Sequence, residues 1–463
     1  MNRRKFLVNS AALAAAMPAA VRASSVAHPL LPEAAAAKAL AGGTKPVLHC
    51  LFPEGSQSNI DAVLAQWTRQ TGLDVTFETE SLDDINGRIL SDSLTGMTTY
   101  DVALPATFGI ADLVHGNALQ PFDALAPAGL APALGPQVLY SDGDFVDGAR
   151  YGFQTDGDVY LAFYRKDLAE QANATGAYAA QHGYPLATPD TWAELDRQMA
   201  FFHDPTEGCY GGALFRNAGY LAWEYLSRLN DKGARIIGAG FEPNFGSDAA
   251  VEALEDMIRA TAFLHPATAT SGLFENWDLY RNTKIYANVG WGGSQKMFNV
   301  PGSPLRGNMI HAQLPAGQGR SSAYFNWGWS YVIPRAAKLA ELGYLFARFA
   351  VSDSVSTLAV REAEGYFDPF NEVHYADPVI EEVYSSAFLK VHRAAMRNAS
   401  LNLYVPGYSN YMNSLNEYLA LAIEGTHRPE VALELAASEW RLITLEVGQS
   451  NQHQRWSDLK AID

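Results

Sequence analysis

Apolar residues recur with two different periods along this 463-residue chain, and the alternation between them predicts its architecture. Residues 47–52 form a short apolar run that ends in Pro53-Glu54-Gly55-Ser56, a loop signal. Ile60, Val63, Leu64 and Trp67 then recur at i, i+3, i+4 and i+7, one face of a helix, and Gly72 stands where that helix should end. Leu73, Val75 and Phe77 alternate as a strand, with Glu78 and Glu80 near its end. A helix over about 82–94 precedes a strand at 100–104. Thr107-Phe108 then leads into a helix carrying Ile110, Leu113 and Val114, stopped at Gly116. Strand, helix, strand, helix, strand is the pattern of a parallel sheet with crossover helices. Such sheets bind ligands beyond the carboxyl ends of their strands, here 53–58, 78–81 and 106–108.

Periodicity lapses between 121 and 147, a stretch rich in Pro, Gly and Asp, and a second α/β unit follows. Tyr151-Gly152-Phe153-Gln154 leads through Asp156 and Asp158 into a strand at 160–164. Two carboxylates just ahead of a buried strand are either solvated turn residues or part of a site. Thr188 to Leu195 opens a helix with Pro189 in its first turn and acids at its positive end. A short strand at 211–215, an aromatic helix at 219–229 holding Tyr220, Trp223 and Tyr225, and an amphipathic helix at 249–263 complete the unit. Further helices are expected at 336–351, 378–397, 415–423 and 433–447. An aromatic loop containing Tyr408 and Tyr411 precedes the third of these.

The densest stretch is 274–334, which holds Trp277, Trp291, Trp327 and Trp329, four of the nine Trp. Three of them adjoin a Gly, as Gly290-Trp291-Gly292 and Trp327-Gly328-Trp329. Gly allows close backbone approach, and Trp presents a broad apolar face with one N–H. The pairing suits a groove that stacks flat rings; core strands would use the same residues.

Composition narrows the classes. An apolar fraction of 48% and a charged fraction of 18% describe a folded protein, and the length predicts two domains. The net charge is −17; without the first 23 residues, 29 Lys and Arg face 50 Asp and Glu. Such a surface repels nucleic acid and anionic lipid, which excludes both as expected partners. Those first residues read as an export signal cleaved near Ala23. Arg3-Arg4-Lys5 is a basic start, 8–20 is a short apolar run, and Val21-Arg22-Ala23 is a cleavage site. Twin Arg before Phe6-Leu7 resembles a Tat signal, and Sec export remains open. Residues 24–44, rich in Ala, are expected to be a loosely held leader. Cys50 and Cys209 are expected to be buried free thiols.

Signatures for catalysis mostly fail: there is no G-x-S-x-G, P-loop, H-E-x-x-H or C-x-x-C. No cofactor or metal is expected. What remains are strand-end and loop residues in which aromatics alternate with acids and amides. Sugars call for that mixture, with rings stacked on their apolar faces and carboxylates or amides on their hydroxyls.

The order of short motifs resembles the family 1 extracellular solute-binding proteins, the sugar-binding subunits of ABC importers, of which the maltose-binding type is representative. The motifs are Tyr100-Asp101-Val102, GNALQPF from Gly116, Tyr151-Gly152-Phe153, Tyr164-Arg165-Lys166-Asp167-Leu168 and TPDTWAEL from Thr188. Ala287 to Trp291, YVIPRA from Tyr331, and Glu424-Gly425 with Pro429 to Ala432 complete the series. The resemblance implies an α/β, two-lobed periplasmic binding protein fold of type II character, with several hinge crossings and a ligand cleft between the lobes. Lobe I would hold 45–123 and 314–370, lobe II 124–313 and 371–463, with a hinge near 311–317. It implies no enzyme but a periplasmic, monomeric capturer of a sugar or polyol that serves membrane permease subunits; glycerol phosphodiesters are an alternative ligand class. Ligand-binding residues carried over are Glu54, Ser56, Gln57, Thr107, Phe108, Asp158, Gly290, Trp291, Tyr408 and Tyr411. Glu78, Trp223 and Trp327 join them from the strand-end and aromatic reading. Maltose-type relatives place Pro where this chain has Gly290. The rival class is a secreted glycoside hydrolase using Asp156, Asp158 or Glu275 as a carboxylate pair.

Overall fold

Two sheets, each covered by helices, account for the predicted pattern in the computed structural model, which describes residues 29–317, 324–325 and 327–460. The expected export signal lies outside the described residues. In chain order the strands are β1 (Leu48–Pro53), β2 (Val75–Glu80), β3 (Val102–Ala103), β4 (Phe145–Val146), β5 (Ala149–Arg150), β6 (Gly152–Gln154) and β7 (Val159–Arg165). They continue as β8 (Cys209–Ala213), β9 (Lys284–Gly290), β10 (Met309–Gln313), β11 (Tyr324–Phe325), β12 (Ser330–Val332) and β13 (Ser400–Leu401).

The first sheet has the order β2-β1-β3-β12-β6. Its β1 pairs in parallel with β2 and β3, as the strand–helix alternation predicts, and β12 joins antiparallel. Helix Gln57–Thr71 sets one cover of this sheet: Ile60, Val63 and Trp67 are buried, and Gly72 ends it in the left-handed region. The second sheet runs β13-β11-β7-β9-β8, with β10 also on β7. At its centre β7 is buried at every position but Arg165, so it reads as a continuous apolar run. These two lobes confirm the expected α/β class.

Sheet membership locates the crossings between lobes. β6 pairs with β12 in the first sheet while β7 belongs to the second, so residues 155–158 form the first crossing. β11 pairs with β7 and β12 with β3, so the second crossing lies between these strands and includes 327–329. The third lies between helix Asp353–Arg361, packed on Gln57–Thr71, and helix Ser386–Arg397, packed on β7 and β10. The expected switch at 123–124 and hinge at 311–317 therefore shift. A two- or three-residue strand joins whichever sheet edge is open to it, and its own residues do not specify that edge.

Other expectations change for local reasons. The supposed loose leader contains helix Pro32–Ala41, whose Ala34 and Ala37 are fully buried. Arg348 Nε donates to Glu33 Oε1 at 3.0 Å, and the Leu31 N–H donates to Gln70 Oε1 at 2.8 Å. Small Ala side chains allow a close helix approach, which composition alone does not register. The helix expected from Pro189 starts at Trp192, where the Glu194 N–H donates to Thr191 Oγ1 at 3.1 Å. The single helix expected over 378–397 is two, broken at Ser385 with φ 76°. Tyr408 and Tyr411 lie inside helix Tyr408–Ile423, and helix Gln449–Lys460 follows the last one expected. Cys50 and Cys209 are buried free thiols on different sheets.

Candidate functional site

The crossings and the end of β9 converge on one cleft. Asp158 closes the first crossing, Trp327 and Trp329 come from the second and Tyr366 from the third; Trp291 and Gly293 follow β9. Leu82, just past β2, faces Leu273, Phe274 and Trp277 of helix Leu273–Asn282. The lobes meet closely, and the half-open cleft between them leaves about 40 Å³, room for about two or three water molecules.

Aromatic packing holds the walls. The Trp291 ring lies 4.8 Å from Tyr160, 5.4 Å from Trp223, 6.0 Å from Trp277 and 6.2 Å from Trp327 between centroids. Trp327 also meets Phe108 at 5.3 Å and Trp223 at 5.4 Å, edge to face. Helix Leu221–Asp231 carries Trp223 and is fixed beneath by Glu224, which accepts from Arg216 and Arg228, both buried. The indole Nε1 atoms of Trp277 and Trp327 are buried and have no hydrogen-bond partner among the described residues. An unsatisfied buried donor costs stability, so these two N–H groups call for an acceptor.

Behind this aromatic lining lies a carboxyl cluster. Asp156, Asp158 and Asp368 each place an oxygen within 4.8 Å of the others. The Asp368 N–H donates to Asp156 Oδ1 at 2.6 Å, the Tyr384 hydroxyl donates to Asp368 Oδ1 at 2.8 Å, and the Gly328 N–H donates to Asp158 Oδ2 at 3.3 Å. Asp158 also shares carboxyl–carboxyl hydrogen bonds with Asp156 and Asp368. Lys296 lies near Asp368 and Asp156 without an ion pair to either; its Nζ donates to the Glu362 carbonyl at 2.8 Å and lies 5.2 Å from the Tyr384 ring centre.

Burial, and then mutual repulsion, pushes the Asp156 and Asp158 carboxyls well above the usual carboxylate range. Burial pushes Asp368 up to about 7 against the pull of Lys296, and draws Lys296 down to about 8. Burial thus favours the protonated form of all three carboxyls. Only glycine permits the arrangement at two points. A Cβ on Gly292 would lie 2.4 Å from the Asp368 carboxyl, and one on Gly157 would lie 2.2 Å from the Pro369 carbonyl.

Among the residues singled out from sequence, Asp158, Trp291 and Trp327 line the cleft. Gly290, Trp223, Phe108 and Tyr408 form the layer behind it. A Cβ on Gly290 would lie 3.0 Å from Trp277 Nε1, and Phe108 stacks on Tyr408 at 4.7 Å. The Tyr408 hydroxyl accepts from Asn402 Nδ2 at 2.6 Å.

The other expected residues do not reach the cavity. Glu54 is exposed and offers its carbonyl to the Tyr366 hydroxyl at 3.4 Å, while the buried Ser56 hydroxyl donates to the Pro53 carbonyl. Gln57 is half-buried at the start of its helix and off the lining. Thr107 Oγ1 shares a 2.9 Å hydrogen bond with Ser330 Oγ and anchors its loop. Glu78 pairs with Arg88 at 2.8 Å. Tyr411 is buried against Trp440 with its hydroxyl 2.7 Å from Thr444 Oγ1, inside the C-terminal helices. A strand end or aromatic run identifies a rim; which way each side chain turns depends on neighbours distant in sequence.

Tyr366, Asp368, Lys296 and Leu82 escaped the sequence reading. The one local signal was the Gly365 and Pro369 punctuation around the third crossing.

Comparison with known proteins accords with this geometry. The model of the bacterial extracellular solute-binding protein family matches residues 53–356. The mannitol-binding protein of Pseudomonas aeruginosa is 25% identical over 250 residues, 51% of this chain and 55% of that protein. The match thus spans about half the length of that curated relative. Among solved structures, maltose-bound MalE3 of T. maritima superposes with a TM-score of 0.72 at 20% identity, covering 86% of this chain and 99% of that one. An ABC transporter solute-binding protein of Agrobacterium vitis with bound D-mannitol gives 0.70 at 18%, covering 87% and 99%. One from Agrobacterium radiobacter with ribitol gives 0.71 at 19%, covering 85% and 97%. These likenesses show the two-lobed fold.

Proposed function

Because the chain belongs to the bacterial extracellular solute-binding protein family, we propose that it captures a sugar or polyol between its lobes and presents the closed form to the permease of an ABC importer. The supporting observation is the cleft lined by Trp291, Trp327, Trp329 and Tyr366, with Asp158 on its wall. Flat rings suit the C–H faces of such solutes, and a carboxyl suits their hydroxyls. The mannitol, ribitol and maltose named for its relatives are of this class. Ligand would select the closed form because walls from both lobes grip it only there. The basic, apolar N-terminus supports export to the periplasm, and the protein acts as a monomer.

Among the described residues no Lys or Arg lines the cleft, which disfavours a glycerol phosphodiester. Hydrolysis is disfavoured because Asp156 and Asp368 have no exposed surface from which to flank a glycosidic bond. The test is calorimetry and tryptophan fluorescence against mannitol, ribitol, maltose and a glycerol phosphodiester. Saturable binding of a sugar or polyol recovered unaltered is expected. Release of hydrolysis products, or binding of the phosphodiester alone, refutes the reading.

A further inference from the structure

Each crossing is tied to both lobes, and its two ties lie within a residue or two of each other. In the first crossing the Thr155 N–H donates to the Trp329 carbonyl at 2.9 Å, beside the first sheet. The Gly157 carbonyl accepts instead from His392 Nε2 at 2.9 Å, on helix Ser386–Arg397 of the second lobe. In the second crossing the Trp327 carbonyl accepts from the Tyr404 hydroxyl at 3.0 Å, past β13, and the Gly328 carbonyl from the Thr107 N–H at 2.9 Å, past β3. In the third the Tyr366 N–H donates to Asn59 Oδ1 at 3.0 Å, on helix Gln57–Thr71 of the first lobe. Two residues on, Asp368 Oδ1 accepts from the Tyr384 hydroxyl at 2.8 Å, and Gln295 Nε2 holds the Tyr384 carbonyl to the second lobe at 2.6 Å. Rotation of one lobe against the other is thereby confined to Asp156, to the Trp327–Gly328 link, where Gly328 has φ 74°, and to Phe367.

The carboxyl cluster spans those three points. The Asp368 N–H on Asp156 Oδ1 joins the third crossing to the first, and the Gly328 N–H on Asp158 Oδ2 joins the second to the first. The carboxyl–carboxyl bonds of Asp158 lie between them. A carboxyl donates such a bond only while it holds a proton, and two carboxylates this close repel. Asp158 lines the cleft, so parting the lobes admits water to it and lets the cluster ionise more readily. The other titratable side chains facing the cluster are Lys296, Tyr366, Tyr375 and Tyr384. Burial pushes the three tyrosines up, so they stay neutral, and draws His392 at Gly157 down to about 4. One shell out, Glu362 faces Lys296, Glu54 faces Tyr366, and Glu372 with Arg393 and Arg397 faces Tyr375.

We propose that Asp156, Asp158 and Asp368 form a proton-dependent clasp on the hinge, whose shared protons hold the three crossings together when the lobes close and whose loss loosens the closed form; this inference rests on the capture by lobe closure described above. Closing then draws in a proton. With the lobes together, burial pushes Asp368 up to about 7. Its contribution to closure is full below the ordinary carboxylate range and lost as pH rises through 7.

Calorimetry with D-mannitol, ribitol and maltose at pH 5.5, 7 and 8, in buffers of different ionisation enthalpy, tests the clasp. Small-angle X-ray scattering of the unliganded protein at the same pH values accompanies it. The expected results are proton uptake on binding at pH 5.5, affinity about tenfold weaker at pH 8 than at pH 5.5, and a larger radius of gyration at pH 8. Asp368→Asn keeps the side chain's shape and a donor without a titrating proton, so its affinity and radius should stay constant over the range. Asp156→Asn should flatten both profiles likewise and serves where Asp368→Asn does not fold. Affinity and radius independent of pH in the parent overturn the clasp and leave capture standing. So does a pH dependence that the variants retain. No binding of any of the three solutes at any pH sinks the capture reading, and the scattering then decides the clasp by itself.

Discussion

Replacing Lys296 by Met removes the ammonium that acts on Asp368 and Asp156 and keeps much of the side chain's buried length. Lys296 is 2% exposed, so bulk water does not replace it there. At pH 5.5 Asp368 is already protonated. The loss is then one charged hydrogen bond to the Glu362 carbonyl and the contact with the Tyr384 ring, about 1–3 kcal/mol together.

The sign of the pH dependence follows from Asp368. Its carboxyl is pushed up to about 7 by burial, so its stabilising contribution is full below the unfolded pKa and lost as pH rises through 7. Without Lys296 that folded pKa rises further. Above pH 7 the variant then retains a proton that the parent has released, and the difference in stability widens by about 1.4 kcal/mol per pH unit. Lys296 itself is drawn down to about 8, so the parent recovers stability above that pH while the variant has nothing there to titrate. By pH 8 the loss should reach about 2–4 kcal/mol, the sum of the two effects. Urea unfolding followed by tryptophan fluorescence at pH 5.5, 7 and 8 measures it. A loss equal at all three values would refute the charge coupling and leave Lys296 as a packing residue.

Trp291→Ala should cost about 3–5 kcal/mol in urea unfolding and weaken ligand binding by about tenfold or more in calorimetry; lost stability with intact affinity would make Trp291 core alone. Tyr411→Phe should cost about 0.5–1.5 kcal/mol and leave affinity unchanged, because its hydroxyl is spent on Thr444. A change in affinity would return Tyr411 to the site. Gly292→Ala puts a methyl 2.4 Å from the Asp368 carboxyl and should cost about 1–3 kcal/mol by overpacking. A melting temperature equal to the parent's would show that the carboxyl can move aside.

The hydrophobic pattern by itself determined the α/β class and most elements. Ile60, Val63 and Trp67 could bury one helical face in only one way, and the run of β7 could only be a central strand. The Gly-flanked Trp residues suited an aromatic cleft and core strands alike, so the sequence left that choice open. Tertiary structure decided the rest. Trp291 and Trp327 are distant in sequence and meet because β9 and the second crossing end at the same gap. Asp156, Asp158 and Asp368 become one charge cluster only when the first and third crossings run side by side, which Gly157 and Gly292 permit. Short strands such as β6 and β11, and polar residues such as Thr107, Glu78 and Tyr411, take their places from partners far along the chain. Periodicity records which residues are buried within one element. Which element buries them, and which charges then share a low-dielectric space, is fixed only when the crossings close.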